Sequence, residues 1–323
     1  MKPTIRDVAK KANVSVSTVS RVINQKGYVH EETRELVNKI IEELGFIPNQ
    51  LARSLTSRSS KIVGVIVPHI GPSFYGALLE GIETQAATYG YKIMFCHTQD
   101  DPERELEYLK FFEQYNIDGL IIASNFTNKD RLFDLKIPVI TVDHVLDETI
   151  PSITSDNVKG GALAAKKLLS IEAKSILLFR GPSFLLTTME RTIGFLSVLK
   201  KTKIFADIYD FDLIQPDEVL MEEVLRQNAN VDAIFAFSDT LALVAINILK
   251  KMGKRVPEDV SVIGYDDMPL CKWVTPSLST IHQNTNFIGK QAFVNLLKLI
   301  RGVELETLHE VLDVDIVLRD STK

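Results

Sequence analysis

The chain has 323 residues, 45% of them hydrophobic and 24% charged, with a formal net charge of −5 at pH 7. This length and apolar content predict two or three globular domains. No run of about 18 apolar residues occurs, which excludes a membrane-spanning helix, and the charged N-terminus is unlike a secretory signal. The two cysteines, Cys96 and Cys271, lack metal-ligand spacing, so we expect a cytoplasmic protein with no metal and no cofactor.

Charge is unevenly distributed along the chain. Residues 1–60 contain ten Lys and Arg against six Asp and Glu, a net +4, which leaves −9 for the remainder. A basic head on an acidic body fits a phosphate-contacting module joined to a domain that avoids DNA. Because +4 is a modest charge, we expect two such heads to act together.

Residues 4–24 show the pattern of two short helices joined by a tight turn. Apolar residues at helical spacing give each helix one buried face, with Ile5, Val8, Ala9 and Ala12 on the first and Val19, Val22 and Ile23 on the second. Asn13 tolerates the backbone of a turn, and Ser15 is a good N-cap for the second helix. The pattern predicts a helix-turn-helix whose second helix reads DNA.

The alternative interpretation of this segment is a generic helical hairpin. Against it, the outward positions of the second helix hold small or hydroxylated residues and one arginine: Val16, Ser17, Ser20 and Arg21. Such side chains suit close approach to the edges of bases in a groove.

Residues 31–44 predict a third helix, which Gly45 ends. Pro48 can begin a short helix with Leu51, Ala52 and Leu55 on one side, although a helix of this length is marginal alone. A plain linker is the alternative. Residues 56–61 are polar and Ser-rich. The predicted domains are residues 1–47, a hinge and linker at 48–61, and a large domain at 62–323.

From residue 62 onward, predicted strands and helices alternate along the chain. This pattern is typical of doubly wound α/β folds with parallel sheets, and the length allows two such halves. The last segment, residues 310–319, alternates as a single strand. Ligands of these folds bind at the carboxyl ends of the strands.

Eight side chains fall at predicted strand ends or at the start of the helices that follow: Phe74, Tyr75, Asp143, Arg191, Phe211, Ser238, Asp266 and Gln283. Carboxylates, amides and Arg grip the hydroxyls of a sugar, and aromatic rings stack on its C–H face. The mixture therefore predicts a sugar-binding cavity. The alternatives are that Arg191 is a surface residue, that Phe211 belongs to the core, and that Asp239 is a helix cap.

Nothing in the sequence indicates catalysis. The phosphate-binding loop, the nucleophile elbow and the metalloprotease helix motif are all missing, and the carboxylate pair Asp266 and Asp267 has no visible activating partner. We therefore do not expect an enzyme.

The N-terminal segment resembles the LacI family of bacterial regulators nearly position for position. The matching positions are Thr4-Ile5, Asp7-Val8-Ala9, Val14-Ser15, Thr18-Val19-Ser20-Arg21-Val22 and Asn24. This resemblance implies DNA contacts from Thr4, Ser15, Val16, Ser17, Thr18, Ser20, Arg21 and Asn24. It also implies a hinge helix that forms on DNA, with contacts from Asn49, Leu51, Ala52, Arg53 and Leu55. In this helix, Leu55 would insert as a wedge into the minor groove.

The body of the chain resembles the periplasmic sugar-binding fold that this family uses as its sensor. The resemblance implies two lobes joined by three chain crossings, expected near residues 157–161, 283–288 and 318–321. The N-lobe would hold residues 62–159 and 288–319, and the C-lobe 160–287 and 320–323. A homodimer is expected, because no leucine heptad follows the last strand.

Three positions depart from the family pattern. Pro72 stands where a ligand-contacting Asn is common, Ser238 also stands where Asn is common, and Leu185 stands where purine-responsive members carry Arg. The segments Gly181-Pro182-Ser183 and Glu190-Arg191 look most like the corresponding segments of the ribose- and sucrose-responsive branches. The resemblance implies a repressor of a carbohydrate-utilisation operon that a small sugar or sugar phosphate releases from double-stranded operator DNA. The alternatives are a family regulator controlled by a phosphorylated carrier protein and, more remotely, a sugar-binding transport protein.

Overall fold

The computed structural model describes residues 3–24, 27–46, 59–71, 73–124 and 129–323. The chain divides into two compact units, residues 1–60 and residues 61–323. Within the described ranges, no helix is long and apolar enough to cross a membrane.

The described part of the first unit contains three helices: α1 (Ile5–Ala12), α2 (Val16–Asn24) and α3 (Glu31–Leu44). At the start of α1, the Asp7 carboxylate accepts hydrogen bonds from the Thr4 backbone N–H at 2.8 Å and from its hydroxyl at 2.7 Å. Asn13 and Gly45, with φ of 52° and 59°, end α1 and α3 in the left-handed backbone that these residue types adopt readily.

The core of the first unit is formed by the apolar faces of the three helices: Val8, Ala9, Ala12, Val19, Val22, Val37, Ile40 and Phe46. A salt bridge of 2.8 Å between Lys11 and Glu43 joins α1 to α3. Both side chains are exposed, so this pair adds little to stability. The buried apolar faces therefore hold the helices together and fix which face of α2 meets solvent.

The second unit begins with a lobe built on parallel strands. Its elements in chain order are β1 (Ile62–Val67), α4 (Ser73–Thr88), β2 (Lys92–His97), α5 (Pro102–Gln114), β3 (Gly119–Ile122), α6 (Lys129–Asp134), β4 (Val139–Val142) and β5 (Ser152–Ser155). β1, β3, β4 and β5 are almost entirely buried, as expected for parallel strands covered on both faces.

The chain then builds a second lobe of the same kind. Its elements are α7 (Asn157–Ser170), β6 (Ile176–Arg180), α8 (Leu186–Leu199), β7 (Ala206–Asp210), α9 (Glu218–Gln227), β8 (Ala233–Ala236), α10 (Asp239–Lys251), β9 (Ser261–Asp266), a 3-10 turn at Pro269–Lys272 and β10 (Ser279–His282). Three elements complete the chain: α11 (Thr285–Ile300), β11 (His309–Leu312) and β12 (Asp315–Val317).

Each lobe has its own six-stranded sheet. The first has the strand order β11-β5-β4-β3-β1-β2 and is parallel throughout, and the second has the order β12-β10-β9-β8-β6-β7. Only β12 runs antiparallel to its neighbour, β10. Two doubly wound sheets with helices on their faces confirm the predicted fold class.

The chain crosses between the lobes three times. The first crossing lies at Asp156, between β5 and α7, and the second at residues 283–284, between β10 and α11. α11 packs on α4 of the first lobe, and α7 packs on α8 of the second.

The prediction for the third crossing was wrong. Residues 310–319 do not form one strand: β11 pairs with β5 in the first sheet, and β12 pairs with β10 in the second. The crossing therefore lies at residues 313–314 instead of 318–321, and residues 315–319 belong to the second lobe. Both edge strands are half-buried, so apolar and polar residues alternate in each of them. The alternation therefore continues through the crossing and does not show where the chain passes from one sheet to the other.

One helix pair in each lobe crosses at very close range. A Cβ atom on Gly194 of α8 would lie 1.9 Å from the Val158 carbonyl oxygen of α7, and one on Gly161 would lie 2.1 Å from the Arg191 carbonyl oxygen. In the first lobe, Gly81 of α4 and Gly289 of α11 make the equivalent approach, at 2.1 and 2.2 Å from backbone oxygens. Only glycine permits such contacts.

Candidate functional site

The second helix of the first unit presents one face to solvent. Val19 and Val22 are buried, whereas Ser17 and Arg21 are exposed and Val16 is 43% exposed. The Ser15 hydroxyl accepts a hydrogen bond from the Thr18 backbone N–H at 3.1 Å, which confirms its predicted role as N-cap. The outward face therefore carries an apolar methyl surface, a hydroxyl and a guanidinium.

Several other predicted DNA-contacting residues form hydrogen bonds within this unit. The Ser15 hydroxyl lies 2.7 Å from that of Ser17 and 2.9 Å from that of Thr18. The Asn24 amide donates to the Ser20 hydroxyl at 3.2 Å. These contacts order the polar side of α2 around Arg21. The predicted hinge residues Asn49, Leu51, Ala52, Arg53 and Leu55 lie outside the described residues.

The second unit contains a cavity of about 330 Å³ between its two lobes. Seven of the eight predicted ligand-contacting residues line it: Phe74, Tyr75, Asp143, Arg191, Ser238, Asp266 and Gln283. Phe74, Tyr75 and Asp143 come from the first lobe, and Arg191, Ser238 and Asp266 from the second. Gln283 lies at the second crossing. Because both lobes line the cavity, a ligand that fills it contacts both.

The two central carboxylates stand at strand ends in unusual backbone conformations. Asp143 follows β4 with φ of 70°, and Asp266 ends β9 with φ of 112°. Positive φ costs a non-glycine residue free energy and persists where the surroundings enforce it, as at many ligand sites. The turns direct both carboxylates into the cavity instead of along their strands.

Burial governs the ionisation of these carboxylates. Burial raises the pKa of Asp143 to about 7, and Arg191 partly opposes this rise. Burial likewise raises the pKa of Asp266 to about 7, again opposed by Arg191. Burial, followed by the negative charge of Asp143, raises the pKa of Tyr75 well above its ordinary value, so its hydroxyl keeps its proton and can donate.

Arg191 is only 6% exposed and is held from three sides. Its Nε donates to the Asn157 side-chain oxygen at 2.9 Å, and one terminal nitrogen donates to the Phe237 carbonyl at 2.6 Å. The guanidinium carbon lies 3.6 Å from the centroid of the Tyr265 ring. A planar cation held in this way is pre-organised to bind a ligand hydroxyl at little entropic cost.

Gln283 occupies the second crossing beside Asp266. Its amide nitrogen donates to an Asp266 carboxylate oxygen at 2.6 Å. Its side-chain oxygen is buried and has no hydrogen-bond partner among the described residues. A buried acceptor without a partner is costly, so this oxygen favours a ligand that carries a hydrogen-bond donor.

Phe211 corrects one prediction, since it does not line the cavity. Its ring is 5% exposed and packs edge-on against Phe179, with ring centroids 5.1 Å apart, in the core of the second lobe. The next residue, Asp212, lines the cavity instead. Side chains alternate between opposite faces along an extended chain, so the prediction was displaced by one residue.

Several cavity residues were not among the predicted contacts, because they come from loops: His69, Asp100, Phe184, Leu185, Asp212 and Leu213. His69 and Asp100 form a pair at 2.8 Å between the Nε2 atom and a carboxylate oxygen. Both follow first-lobe strands by two or three residues, a signal that could have identified them. Phe184, which is 64% exposed at the cavity, carries no comparable signal.

Two family models match the chain. The model of bacterial regulatory proteins of the lacI family matches residues 4–49. The model of periplasmic binding proteins and the sugar binding domain of the LacI family matches residues 60–316. Together these matches confirm both predicted resemblances, that of the N-terminal segment and that of the α/β body.

Similar proteins match along nearly the whole chain. The ribose operon repressor of Halalkalibacterium halodurans is 35% identical over 321 residues, which cover 99% of this chain and 97% of that protein. The sucrose operon repressor of Streptococcus mutans is 35% identical over 297 residues, 92% of each chain. The crystal structure of the lac repressor dimer bound to operator and an anti-inducer has a TM-score of 0.90 at 26% identity, covering 100% of this chain and 99% of that one.

Proposed function

The chain belongs to the LacI family of bacterial regulatory proteins, and we propose that it is a transcription repressor which leaves its operator when a small sugar fills the cavity between its lobes. The observation that carries the proposal is the presence in one chain of an exposed recognition helix and a cavity lined by Asp143, Arg191 and Asp266. The similarity to ribose and sucrose operon repressors supports it.

DNA reading is assigned to the exposed face of α2. Arg21 contacts a base edge in the major groove, where a guanidinium pairs best with the two acceptors of guanine. Val16 contacts a thymine methyl, and Ser17 adjusts the preference between bases. Thr4, Thr18 and Asn24 position the helix against the phosphate backbone.

A homodimer provides two recognition helices for one operator. Two half-sites about 34 Å apart on a pseudo-palindromic site would receive them. Support comes from the solved lac repressor, which is a dimer on its operator. The hinge residues Asn49, Leu51, Ala52, Arg53 and Leu55 remain part of this proposal as minor-groove contacts, with Leu55 as the wedge.

Effector recognition is assigned to the cavity between the lobes. Sugar hydroxyls donate to Asp143, Asp266 and the free oxygen of Gln283, and Arg191 donates to a ligand oxygen. Phe74 and Tyr75, whose rings meet edge-on at 5.2 Å, provide an apolar wall for the C–H face of the ring. Ser238 has a weaker claim, because its hydroxyl already caps α10 at the Leu241 N–H, 3.2 Å away.

Coupling between the two functions needs only a ligand that binds two lobe arrangements with different affinity. Asp143 belongs to one lobe, and Arg191 and Asp266 belong to the other. A sugar that contacts all three stabilises the arrangement in which they converge. For the sugar to release the operator, this arrangement must hold operator DNA less tightly than the alternative arrangement does, and by linkage DNA then weakens sugar binding by the same factor.

The proposal is tested on the full chain with DNA duplexes that the protein itself selects from a random library. Fluorescence anisotropy then measures affinity for the selected duplex with and without D-ribose or sucrose. We expect specific binding that one of these sugars weakens by about 5- to 150-fold, the usual range of allosteric coupling. Failure to select any duplex would contradict the DNA-binding assignment, and sugar binding without any change in DNA affinity would contradict the repressor mechanism.

A further inference from the structure

The charged side chains that line the cavity are unbalanced. Four are carboxylates, from Asp100, Asp143, Asp212 and Asp266, whereas the described lining holds one guanidinium, Arg191, and one imidazole, His69. We propose that the effector is an electrically neutral, unphosphorylated polyol and that the cavity rejects the phosphate esters of the same sugars. The inference rests on the proposed function, since it takes this cavity as the effector site.

The single guanidinium is already partly committed to the protein. Arg191 donates through Nε to Asn157 and through a terminal nitrogen to the Phe237 carbonyl, and its face stacks on Tyr265. Phosphate recognition by arginine uses the bidentate fork that these contacts occupy in part. His69 is paired with Asp100, so its imidazole also faces a carboxylate of the protein.

Some of the backbone donors near the cavity are also occupied. The Asp212 carboxylate accepts the backbone N–H groups of Ile214 at 2.7 Å and Gln215 at 2.8 Å, so an anion of the protein already fills that turn. At the start of α10, the Ser238 hydroxyl accepts the Leu241 N–H. α8 begins near the cavity without a side-chain cap. However, a helix N-terminus supplies only about half a positive charge, which is less than the counter-charge that a phosphate dianion needs.

Acceptors are prominent among the groups that remain for a ligand. The Asp143 carboxyl group lines the cavity, and the Gln283 side-chain oxygen is buried without a hydrogen-bond partner among the described residues. Hydroxyl groups of a neutral sugar can donate to both. A phosphate ester brings oxygens that chiefly accept, so it would leave the protein acceptors unmatched and place a dianion in a buried site where carboxyl groups outnumber cationic side chains.

The experiment pairs neutral sugars with their own esters. Calorimetry at constant ionic strength measures binding of D-ribose, D-fructose and sucrose, and of D-ribose 5-phosphate, D-fructose 6-phosphate and sucrose 6-phosphate. We expect the tightest ligand to be a neutral sugar, and its ester to bind at least about tenfold more weakly, because like-charge placement in a buried site is strongly unfavourable. An ester that binds as tightly as its parent sugar, or more tightly, overturns the inference while leaving the proposed function standing.

If calorimetry detects no binding of any of these sugars or esters, a different conclusion follows. If the same protein sample still binds its selected duplex, the sugar effector of the proposed function is contradicted, and the inference falls with it. Operator affinity measured in parallel thus separates failure of the effector assignment from failure of its charge selectivity.

A matched pair of variants locates the origin of the selectivity. Asp212→Asn removes one charge from the cavity and keeps a side-chain oxygen for the Ile214 and Gln215 N–H groups. Asp207→Asn removes an exposed charge of the same lobe, from β7, that does not line the cavity. We expect Asp212→Asn to strengthen ester binding severalfold and Asp207→Asn to leave it unchanged. Equal effects of the two variants would overturn the assignment of selectivity to the cavity.

Discussion

The guanidinium of Arg191 stacks on the ring of Tyr265, 3.6 Å from its centroid, so the cationic side of the cavity is fixed by an aromatic face that is itself buried in the second lobe. The Tyr265 hydroxyl and the Arg191 Nε share one acceptor, the Asn157 side-chain oxygen. Asn157 is the first residue of α7, immediately after the first crossing. The position of Arg191 is therefore tied to the point where the chain passes between lobes.

We predict that Arg191→Ala abolishes the response to the effector and spares operator binding. The variant removes the ligand donor and the guanidinium that donates to the Phe237 carbonyl, and it leaves the Asn157 oxygen with the Tyr265 hydroxyl alone, so we expect a loss of stability of about 1–3 kcal/mol. Anisotropy with operator and sugar measures the response, and chemical denaturation measures the stability. The control Arg226→Ala removes an exposed arginine of α9 that pairs only with Glu222 among the described residues. A normal sugar response in Arg191→Ala would contradict the site.

The raised pKa values of Asp143 and Asp266 predict a stability that falls with rising pH. Between the ordinary carboxyl pKa of 3.8 and the raised value of about 7, the folded protein holds protons that the unfolded chain has lost. The free energy of unfolding therefore decreases as pH rises through this window and levels off above it. Urea denaturation at pH 5, 6, 7 and 8 measures the slope.

Asp143→Asn tests the origin of that slope. The amide cannot ionise, so we expect a shallower dependence on pH and a variant that gains stability relative to the original chain at pH 8. Asp207→Asn, on the exposed side of β7, should keep the original slope. If the slope of Asp143→Asn is equally steep, the buried carboxylate does not cause it.

Arg21→Ala should remove specific DNA binding without affecting the cavity. A bidentate arginine contact to guanine contributes about 1–3 kcal/mol of discrimination in each half-site. We therefore expect affinity for the selected duplex to approach that for random DNA, whereas calorimetry still detects the sugar. Lys39→Ala, which removes an exposed charge from α3, serves as the charge-matched control. A variant that retains full specificity would remove Arg21 from the recognition surface.

Arg319→Gln should loosen the turn that carries Asp266. Arg319 donates to the Asp267 carboxylate at 2.5 Å, and the two side chains are 12% and 10% exposed. Breaking a buried pair by removing one partner costs about 3–5 kcal/mol, and we expect the lower end because His282 also lies 3.1 Å from Asp267. Denaturation and sugar calorimetry are both informative, since the displaced turn should weaken sugar binding as well. The double variant Arg319→Gln/Asp267→Asn should recover part of the lost stability.

Gly194→Ala and Gly76→Ala should change stability in opposite directions. A methyl group at Gly194 meets the Val158 carbonyl oxygen, whereas one at Gly76 of α4 meets no atom of the described chain within 4 Å. Alanine stabilises an exposed helix position by about 0.8–1 kcal/mol relative to glycine, so Gly76→Ala should raise the midpoint of thermal unfolding. Gly194→Ala should lower it. A neutral Gly194→Ala would show that α7 and α8 can separate without penalty.

Sequence reasoning identified the cavity residues that local pattern determines. Asp143 directly follows a hydrophobic strand and Asp266 ends another, and parallel strands bring their carboxyl ends to one edge of a sheet. Phe211 was misplaced by one position, because nothing local to the end of β7 indicates which of two successive side chains turns toward the core. Asp100 and Phe184 lie in loops whose course depends on tertiary packing. The third crossing was misplaced because edge strands of two different sheets carry the same alternation.

The paired glycines make each lobe stiff at the places where the chain enters it. α7 and α11 each begin directly after a crossing. Close backbone contacts hold α7 against α8 and α11 against α4, and both α8 and α4 carry cavity residues. Neither helix can tilt without driving a carbonyl oxygen into a Cα atom. Any reorientation of the lobes must therefore be absorbed by torsion angles in a handful of residues near positions 156, 283 and 313. The second unit therefore consists of two rigid lobes joined by three short chain segments, and bending at these segments is the motion that costs least.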